Sequence, residues 1–294
     1  MTPTRGWQIL GHALLLAVAG LATTPSAHAA ASTCLLATPS NLSQVYDPTS
    51  ATAVAVMASV SFTCSNNSNS ADTLYYEVGV FSAQTLGTQN RALNGSNSLN
   101  YELRRDSTNG LLWADSVGAR FGSGASPITV PGKSSTTVNL NFYLRVPAGQ
   151  NSPTGTYLDT PSIKLYYDAT LNPGLKDSRS FNLSLGIAAS CVLSTPPGNV
   201  LFNYTSFQVA PAVASTAFGV NCVNGTAYTL SLDASTGTLL GLNYSLNVQP
   251  TGTQTGTGLV QSASINGSMA GGQAGTCNSA SCSATESRTL TISY

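Results

Sequence analysis

The cysteines are the residues of this chain whose spacing most clearly implies chemistry. The chain has 294 residues and six cysteines. An even number of cysteines in an exported chain indicates disulfides rather than a metal site. Their order along the chain favours three local bridges, although other connectivities remain formally possible. The expected pairs are Cys34–Cys64, Cys191–Cys222 and Cys277–Cys282.

The remaining residues offer few combinations that could form a catalytic site. Both histidines, His12 and His28, lie in the first 29 residues. Without them the chain has no Ser–His or Cys–His pair and no histidine metal ligand. The carboxylates are few and scattered, so that only a pair such as Glu77 and Glu102 could act as acid and base. We therefore expect no catalytic residue, no metal, no cofactor and no enzymatic activity.

The first 29 residues have the pattern of an export signal. Arg5 supplies a positive start, residues 9–21 form a short apolar stretch, and Ala27-His28-Ala29 is a small-residue cleavage site. The apolar stretch is too short to span a membrane. The sequence thus predicts an exported mature chain that begins near Ala30 and has no membrane insertion.

Charged side chains are sparse. Without Arg5 the acidic and basic residues nearly balance, and beyond Cys191 only Asp233, Glu286 and Arg288 are charged. Nucleic-acid and anionic-membrane binding require basic patches, which this sequence does not provide. We therefore expect no nucleic-acid partner.

The elements that position these residues are predicted to be β-strands. Short runs with alternating or β-branched residues recur between turn residues, and the mature chain has no convincing amphipathic helix. Such spacing is typical of an all-β sandwich. The predicted strands are residues 53–63, 74–81, 99–103, 137–146, 157–167, 180–187, 200–204, 217–222, 228–232, 242–248, 258–265 and 288–294.

The chain also contains an internal repeat whose second copy is the shorter one. The motif Leu-Asn-Tyr at residues 99–101 returns at 242–244, and a Gly-Gln pair at 149–150 returns at 272–273. The repeat predicts two tandem sandwiches. We place them at residues 30–188 and 189–294, with the boundary inside residues 177–189.

Residues of both copies resemble a known family. The run at 143–150, Tyr-Leu-Arg-Val-Pro-Ala-Gly-Gln, is followed by Gly-Thr-Tyr-Leu-Asp-Thr at 155–160 and then by an alternating strand. These residues resemble the close of a spore coat protein U domain. Earlier positions of the same pattern are matched by Cys34, Cys64, Asn90-Arg91, Leu99-Asn-Tyr101 and Trp113. The second copy departs from the pattern, because it lacks a counterpart of Trp113 and carries the additional pair Cys277 and Cys282.

The resemblance implies a subunit of an archaic chaperone–usher pilus, and a two-domain chain is similar to the tip adhesin. In that family each domain is an immunoglobulin-like sandwich that lacks its last strand. The adjacent subunit supplies the strand by donor-strand complementation, which is a form of β-augmentation. The implied partners are a periplasmic pilus chaperone, an outer-membrane usher and an adjacent pilin, and the implied location is the pilus tip at the cell surface.

The two ends of the mature chain indicate which position in a pilus the protein takes. Only the four residues 30–33 precede Cys34, too few for a donated strand, whereas the last strand predicts an open acceptor edge at Leu290, Ile292 and Tyr294. The first domain is expected to complete itself in cis. Its donor strand would be the alternating residues Phe181, Leu183, Leu185 and Ile187. Alternatively, this segment is the first strand of the second domain.

Adhesion is predicted for loops at the pole of the first domain that faces away from the second. We expect residues 157–167 and 181–187 to form a hairpin whose loop, 169–178, lies there with loops 65–72 and 106–134. These loops carry unusual apolar residues: Leu111, Leu112, Trp113, Phe121, Leu171, Pro173 and Leu175. Exposed apolar tips would attach to hydrophobic surfaces and support biofilm formation. The alternative is that Trp113 and Leu112 pack inside their own domain.

Two functions therefore remain for the whole chain. One is a surface-binding tip subunit of a chaperone–usher pilus. The other is a non-adhesive minor pilus subunit or secreted coat protein.

Overall fold

The computed structural model describes residues 31–86, 89–122 and 127–294. The predicted export signal lies outside these residues. All regular structure within them is β-strand, which confirms the predicted all-β class. No helix capable of spanning a membrane occurs in this part of the chain.

The first thirteen strands, which we call the N-terminal half, form two facing sheets. The strands are β1 (Ser32–Leu36), β2 (Leu42–Val45), β3 (Val54–Asn66), β4 (Asp72–Phe81), β5 (Thr85–Leu86), β6 (Gln89–Asn94), β7 (Asn97–Arg105), β8 (Pro127–Val130), β9 (Ser134–Val146), β10 (Gly155–Asp159), β11 (Ser162–Asp168), β12 (Gly174–Ser180) and β13 (Leu183–Ile187). One sheet has the order β1-β3-β9-β7-β6-β10-β13-β2, with β5 paired to β6, and the other β12-β11-β4-β8. Alternating residues of both sheets enclose one hydrophobic core.

The last eight strands, which we call the C-terminal half, form a smaller pair of sheets. They are β14 (Cys191–Thr195), β15 (Ala212–Cys222), β16 (Ala227–Leu232), β17 (Thr236–Leu239), β18 (Leu242–Gln249), β19 (Gln254–Thr255), β20 (Val260–Met269) and β21 (Leu290–Ser293). The sheet orders are β14-β15-β20-β18-β17 and β19-β16-β21. A second, smaller core lies between them.

The predicted single strand at 157–167 is wrong, because Pro161 divides it. Proline has no amide hydrogen to donate to a strand ladder and here separates β10 from β11, which lie in different sheets. Strand β11 forms its hairpin with β12, while β13 pairs with β10. The expected loop 169–178 is therefore a turn at 169–173 followed by a strand, and Leu175 lies in that strand.

The structure contains three disulfides, in the pairing that the order of the cysteines favoured. Cys34–Cys64 joins directly paired residues of β1 and β3, and Cys191–Cys222 joins directly paired residues of β14 and β15. Cys277–Cys282 closes a loop that has no counterpart in the N-terminal half.

The two halves repeat one set of hydrogen bonds. The main-chain amide of Gln150 donates to the Tyr46 hydroxyl at 2.8 Å, and that of Gln273 donates to the Tyr204 hydroxyl at 2.9 Å. The side chain of each glutamine also binds both main-chain groups of an asparagine on the neighbouring strand. These contacts fix which residues of the two halves correspond.

A tyrosine–carboxylate pair is repeated as well. The Tyr101 hydroxyl donates to Asp159 at 2.5 Å, and the Tyr244 hydroxyl donates to Glu286 at 2.6 Å. Asp159 is the last residue of β10. The segment that ends at Glu286 is therefore the counterpart of β10.

Candidate strand-acceptor groove and adhesive surface

Strand β13 completes the core of the N-terminal half. It lies between β10, to which it is antiparallel, and β2, to which it is parallel. All pairing partners of β13 belong to the N-terminal half. The four residues expected to form an in-cis donor strand are buried in the first core: Phe181, Leu183, Leu185 and Ile187. Burial of each such side chain contributes about 1.5–3 kcal/mol, an upper estimate because unfolded chains are partly compact.

The C-terminal half contains the two neighbours of such a strand but no counterpart of the strand itself among the described residues. Residues 200–204 correspond to β2 through Tyr204, and residues 282–286 correspond to β10 through Glu286. Neither segment is part of a strand. The prediction of a strand at 200–204 is therefore wrong. Its counterpart, β2, pairs only with β13, and the C-terminal half has no described strand in the position of β13 with which residues 200–204 could pair.

The core of the C-terminal half is correspondingly less covered. Ile163 and Leu165 of β11 are 0% exposed, whereas Leu290 and Ile292, at the corresponding positions of β21, are only half-buried. An open cavity of about 220 Å³ lies in this half. We call it the open groove, and its apolar lining residues are Leu230, Leu232, Leu246 and Val248.

The sequence predicts an acceptor edge in the last strand, and β21 lies at one end of its sheet among the described residues. Strand β21 pairs with β16 on one side, and Leu290 and Ile292 pack against the second core. In the N-terminal half the partner of β13 is β10 rather than β11. By this comparison residues 282–286 are the counterpart of the strand that pairs with β13. Tyr294 follows β21 and is largely exposed.

Tyr244, Glu286 and Arg288 form a polar cluster beside residues 282–286. Arg288 contacts Glu286 at 2.6 Å and donates to the Tyr244 hydroxyl at 2.7 Å. Burial, followed by the hydrogen bond to Glu286, raises the pKa of Tyr244. The cluster therefore attaches the β10-like segment to strand β18.

Trp113 and Phe121 do not belong to an exposed adhesive surface, contrary to the prediction. Trp113 is 2% exposed and its indole N–H donates to the Val78 carbonyl at 2.8 Å. Its ring packs edge-on against Phe121, with ring centroids 5.2 Å apart, and against Phe142. An aromatic ring of this size stabilises a core strongly once its polar group has a partner. For Trp113 the alternative of packing inside its own half is the one the structure supports.

Several other apolar side chains of the predicted loops do remain exposed. Leu111 is 69% exposed, Leu112 is less so, and Pro173 is partly buried. Leu171 and Leu175 are exposed on the β11–β12 hairpin. Val117 is 88% exposed. Sequence reasoning missed Val117 because a single apolar residue among polar neighbours gives no pattern.

An ion-pair network fastens residues 106–122 to the outer face of the β4–β11 pair. Asp115 accepts from Lys164 at 2.6 Å, from the Tyr166 hydroxyl at 2.8 Å and from Arg120 at 3.0 Å. Burial alone would raise the pKa of Asp115, but the hydrogen bonds from Lys164 and Tyr166 outweigh it and lower that pKa. Burial and the bond to Asp115 raise the pKa of Tyr166 to about 12. Arg120 also lies over the Tyr166 ring, 3.8 Å from its centroid.

The carboxylates considered as an acid–base pair lie in separate ion pairs. Glu77 binds Arg120 at 2.9 Å, whereas Glu102 binds Arg104 and Arg145. Burial of Glu102 opposes ionisation, but its two arginine partners lower its pKa below the usual range. Within the described residues, acidic and cysteine side chains form no cluster suited to a metal ion.

Most of the N-terminal half matches a known protein family. Residues 21–164 match the family described as the Spore Coat Protein U domain. This part of the chain is similar to that domain. The matched residues include the first disulfide, the buried Trp113 and strand β10, and they cover just under half of the chain.

Two solved structures are similar to this chain at low sequence identity. One is the CsuC–CsuE chaperone–tip adhesion subunit pre-assembly complex from archaic chaperone–usher Csu pili of Acinetobacter baumannii. Its TM-score is 0.43 at 14% identity, over 89% of this chain and 99% of that one. The other is the CupB6 tip adhesin from Pseudomonas aeruginosa. Its TM-score is 0.40 at 10% identity, over 90% of this chain and 94% of that one. None of the curated proteins matches this sequence.

Proposed function

We propose that the protein is the tip subunit of a chaperone–usher pilus. A strand from an adjacent pilin would fill the open groove by donor-strand complementation. A periplasmic chaperone and an outer-membrane usher would precede that pilin as partners during export to the cell surface. The proposal divides the chain into an adhesin-like domain at residues 30–188 and a pilin-like domain at residues 189–294.

The contrast between two corresponding cores carries this proposal. Four alternating apolar side chains of β13 cover the first core, and no described residue takes their place over the second. Exposed apolar side chains between two sheets are costly in a soluble domain and favour the addition of a strand. The donor would lie between residues 200–204 and residues 282–286, as β13 lies between β2 and β10.

A graft tests the proposal with the protein's own strand. Because Tyr294 corresponds to Tyr167, a copy of residues 168–188 appended to Tyr294 would place a second β13 over the open groove. We expect the grafted mature chain to be secreted as a soluble monomer without a chaperone and to resist proteolysis. The matched control carries the same graft with asparagine at the positions that correspond to Leu183 and Leu185. Equal protease resistance of the graft and its control would contradict the proposal.

Adhesion is proposed for the exposed side chains of the N-terminal half. Leu111, Leu171 and Leu175 would contact hydrophobic surfaces and so support attachment and biofilm formation. Replacement of Leu171 and Leu175 by serine should leave export and pilus assembly intact and reduce attachment to polystyrene several-fold. Leu259, exposed on the C-terminal half and outside the proposed donor-strand site, gives the control substitution Leu259→Ser.

A second candidate is a non-adhesive structural subunit, and one observation favours it. The two largest side chains predicted to bind surfaces, Trp113 and Phe121, are buried. Normal piliation together with unchanged attachment of the Leu171→Ser/Leu175→Ser variant would identify this role.

A further inference from the structure

The C-terminal half contains an insertion immediately before the β10-like segment. Gln150 and Asp159 bound this region in the N-terminal half, and Gln273 and Glu286 make the corresponding hydrogen bonds in the C-terminal half. Asp159 is nine residues after Gln150, but Glu286 is thirteen residues after Gln273. Four extra residues therefore have to be accommodated over a corresponding path.

The disulfide Cys277–Cys282 encloses four residues, 278–281. When the bridge is counted as one step, Glu286 is again nine steps after Gln273. The bridged Cα atoms are 5.9 Å apart, between the lengths of one and two peptide steps. The bridge thus removes the insertion from the main path and leaves it as a side loop, whose residues are all exposed.

Few other contacts hold this segment. On one side the Thr276 amide donates to the Leu240 carbonyl at 2.7 Å. On the other side Glu286 and Arg288 bind Tyr244, and Arg288 also donates to the Thr236 carbonyl. Residues 277–287 between these anchors form no strand and are exposed. The bridge is therefore the one covalent restraint within this described stretch.

We propose that Cys277–Cys282 is a positioning disulfide for the strand-acceptor edge. By excluding residues 278–281 from the path, it holds residues 283–286 where β10 lies in the N-terminal half, before a donor strand arrives. This inference rests on the proposed function. Ordering an edge in advance strengthens binding, because the cost of ordering it is then not subtracted from the affinity.

Two variants of the full mature chain test this role. The first is Cys277→Ser/Cys282→Ser, which frees the insertion. The second adds deletion of residues 278–281 to the same substitutions, so that the nine-residue spacing returns without a disulfide. The probe is a fluorescein-labelled synthetic peptide of residues 180–188, and the measurement is fluorescence anisotropy. We expect about tenfold weaker binding for the first variant, the cost of ordering one or two residues, and recovery to within about twofold for the second.

The recovery separates positioning from simple crosslinking. A disulfide that acts only by stabilising the domain would leave the shortened variant as weak as the first variant, and that result would overturn the proposal. Unchanged binding by the first variant would overturn it as well. If the first variant does not fold, recovery of soluble protein by the shortened variant supports the proposal, and failure to recover it refutes the proposal.

Hydrogen exchange without peptide distinguishes this inference from the proposed function. Amides of β21, residues 290–293, which pair with β16, should exchange about tenfold faster in the first variant and return to the original rate in the shortened one. That result supports the positioning role even if the unaltered protein binds no peptide, in which case the proposed function fails. Equal exchange in all three proteins refutes the positioning role whatever the peptide does.

Discussion

The unequal coverage of the two cores predicts unequal costs for one substitution made at corresponding positions. Leu165 in the N-terminal half and Ile292 in the C-terminal half occupy the same place in β11 and β21. We consider Leu165→Ala and Ile292→Ala in the full mature chain without any partner. The side chains differ little in size, so that their surroundings decide the difference.

The expected magnitudes follow from burial. Truncation of a fully buried Leu to Ala costs about 2–5 kcal/mol, because transfer free energy is lost and a cavity remains. Leu165 is 0% exposed and should fall in this range. Ile292 is only partly buried beside the second core, so less of its transfer free energy is lost than for Leu165 and little new cavity forms. We therefore expect about 1 kcal/mol for Ile292→Ala.

The assay can follow each half separately. Trp113 is the one tryptophan of the predicted mature chain, and its fluorescence reports unfolding of the N-terminal half in urea. Hydrogen exchange of β16, β18 and β20 reports the C-terminal half. Addition of the 168–188 graft should raise the cost of Ile292→Ala toward that of Leu165→Ala. Equal costs without the graft would refute the claim that the second core is open.

Three further predictions concern the N-terminal half and its counterpart. Tyr101→Phe should lower the free energy of unfolding by about 1–3 kcal/mol, because it leaves a buried carboxylate with one partner fewer, and Tyr244→Phe should cost clearly less at its more exposed site. Asp115 has a lowered pKa in the folded state, so its contribution should be complete above about pH 4, near the unfolded value, and be lost as the pH falls further. Urea unfolding of Asp115→Asn between pH 2.5 and 7 should not show this loss of stability at low pH. A pH profile equal to that of the unaltered protein would contradict the assignment. Replacing Cys34 and Cys64 together by Ala should cost about 3–4 kcal/mol for a loop of 30 residues, measured by thermal unfolding with and without reductant.

The periodicity of the sequence predicted the longest strands because side-chain alternation is a local property. The run that contains Phe181, Leu183, Leu185 and Ile187 alternates, and all four side chains are buried. The same reasoning failed at Pro161 and at residues 200–204. A strand requires a neighbour, and the presence of that neighbour is decided elsewhere in the chain.

The prediction of exposed aromatic loops failed for a related reason. Trp113 lies in a region without regular structure, and sequence alone does not reveal which loop folds back over a core. Hydrogen bonds to Val78 and packing against Phe142 from the facing sheet bury it. The ion pairs around Asp115 join residues from separate parts of the chain, so no local spacing in the sequence predicts them.

The sequence by itself determined the all-β class, the cysteine pairs and the internal repeat, since each depends on residue type and spacing along one dimension. The tertiary structure alone decided that β13 covers the first core and that no described strand takes the matching place over the second core. Those outcomes depend on which strands become neighbours in space. Hydrogen-bond pairing between distant segments produces no periodic pattern in the sequence of either segment.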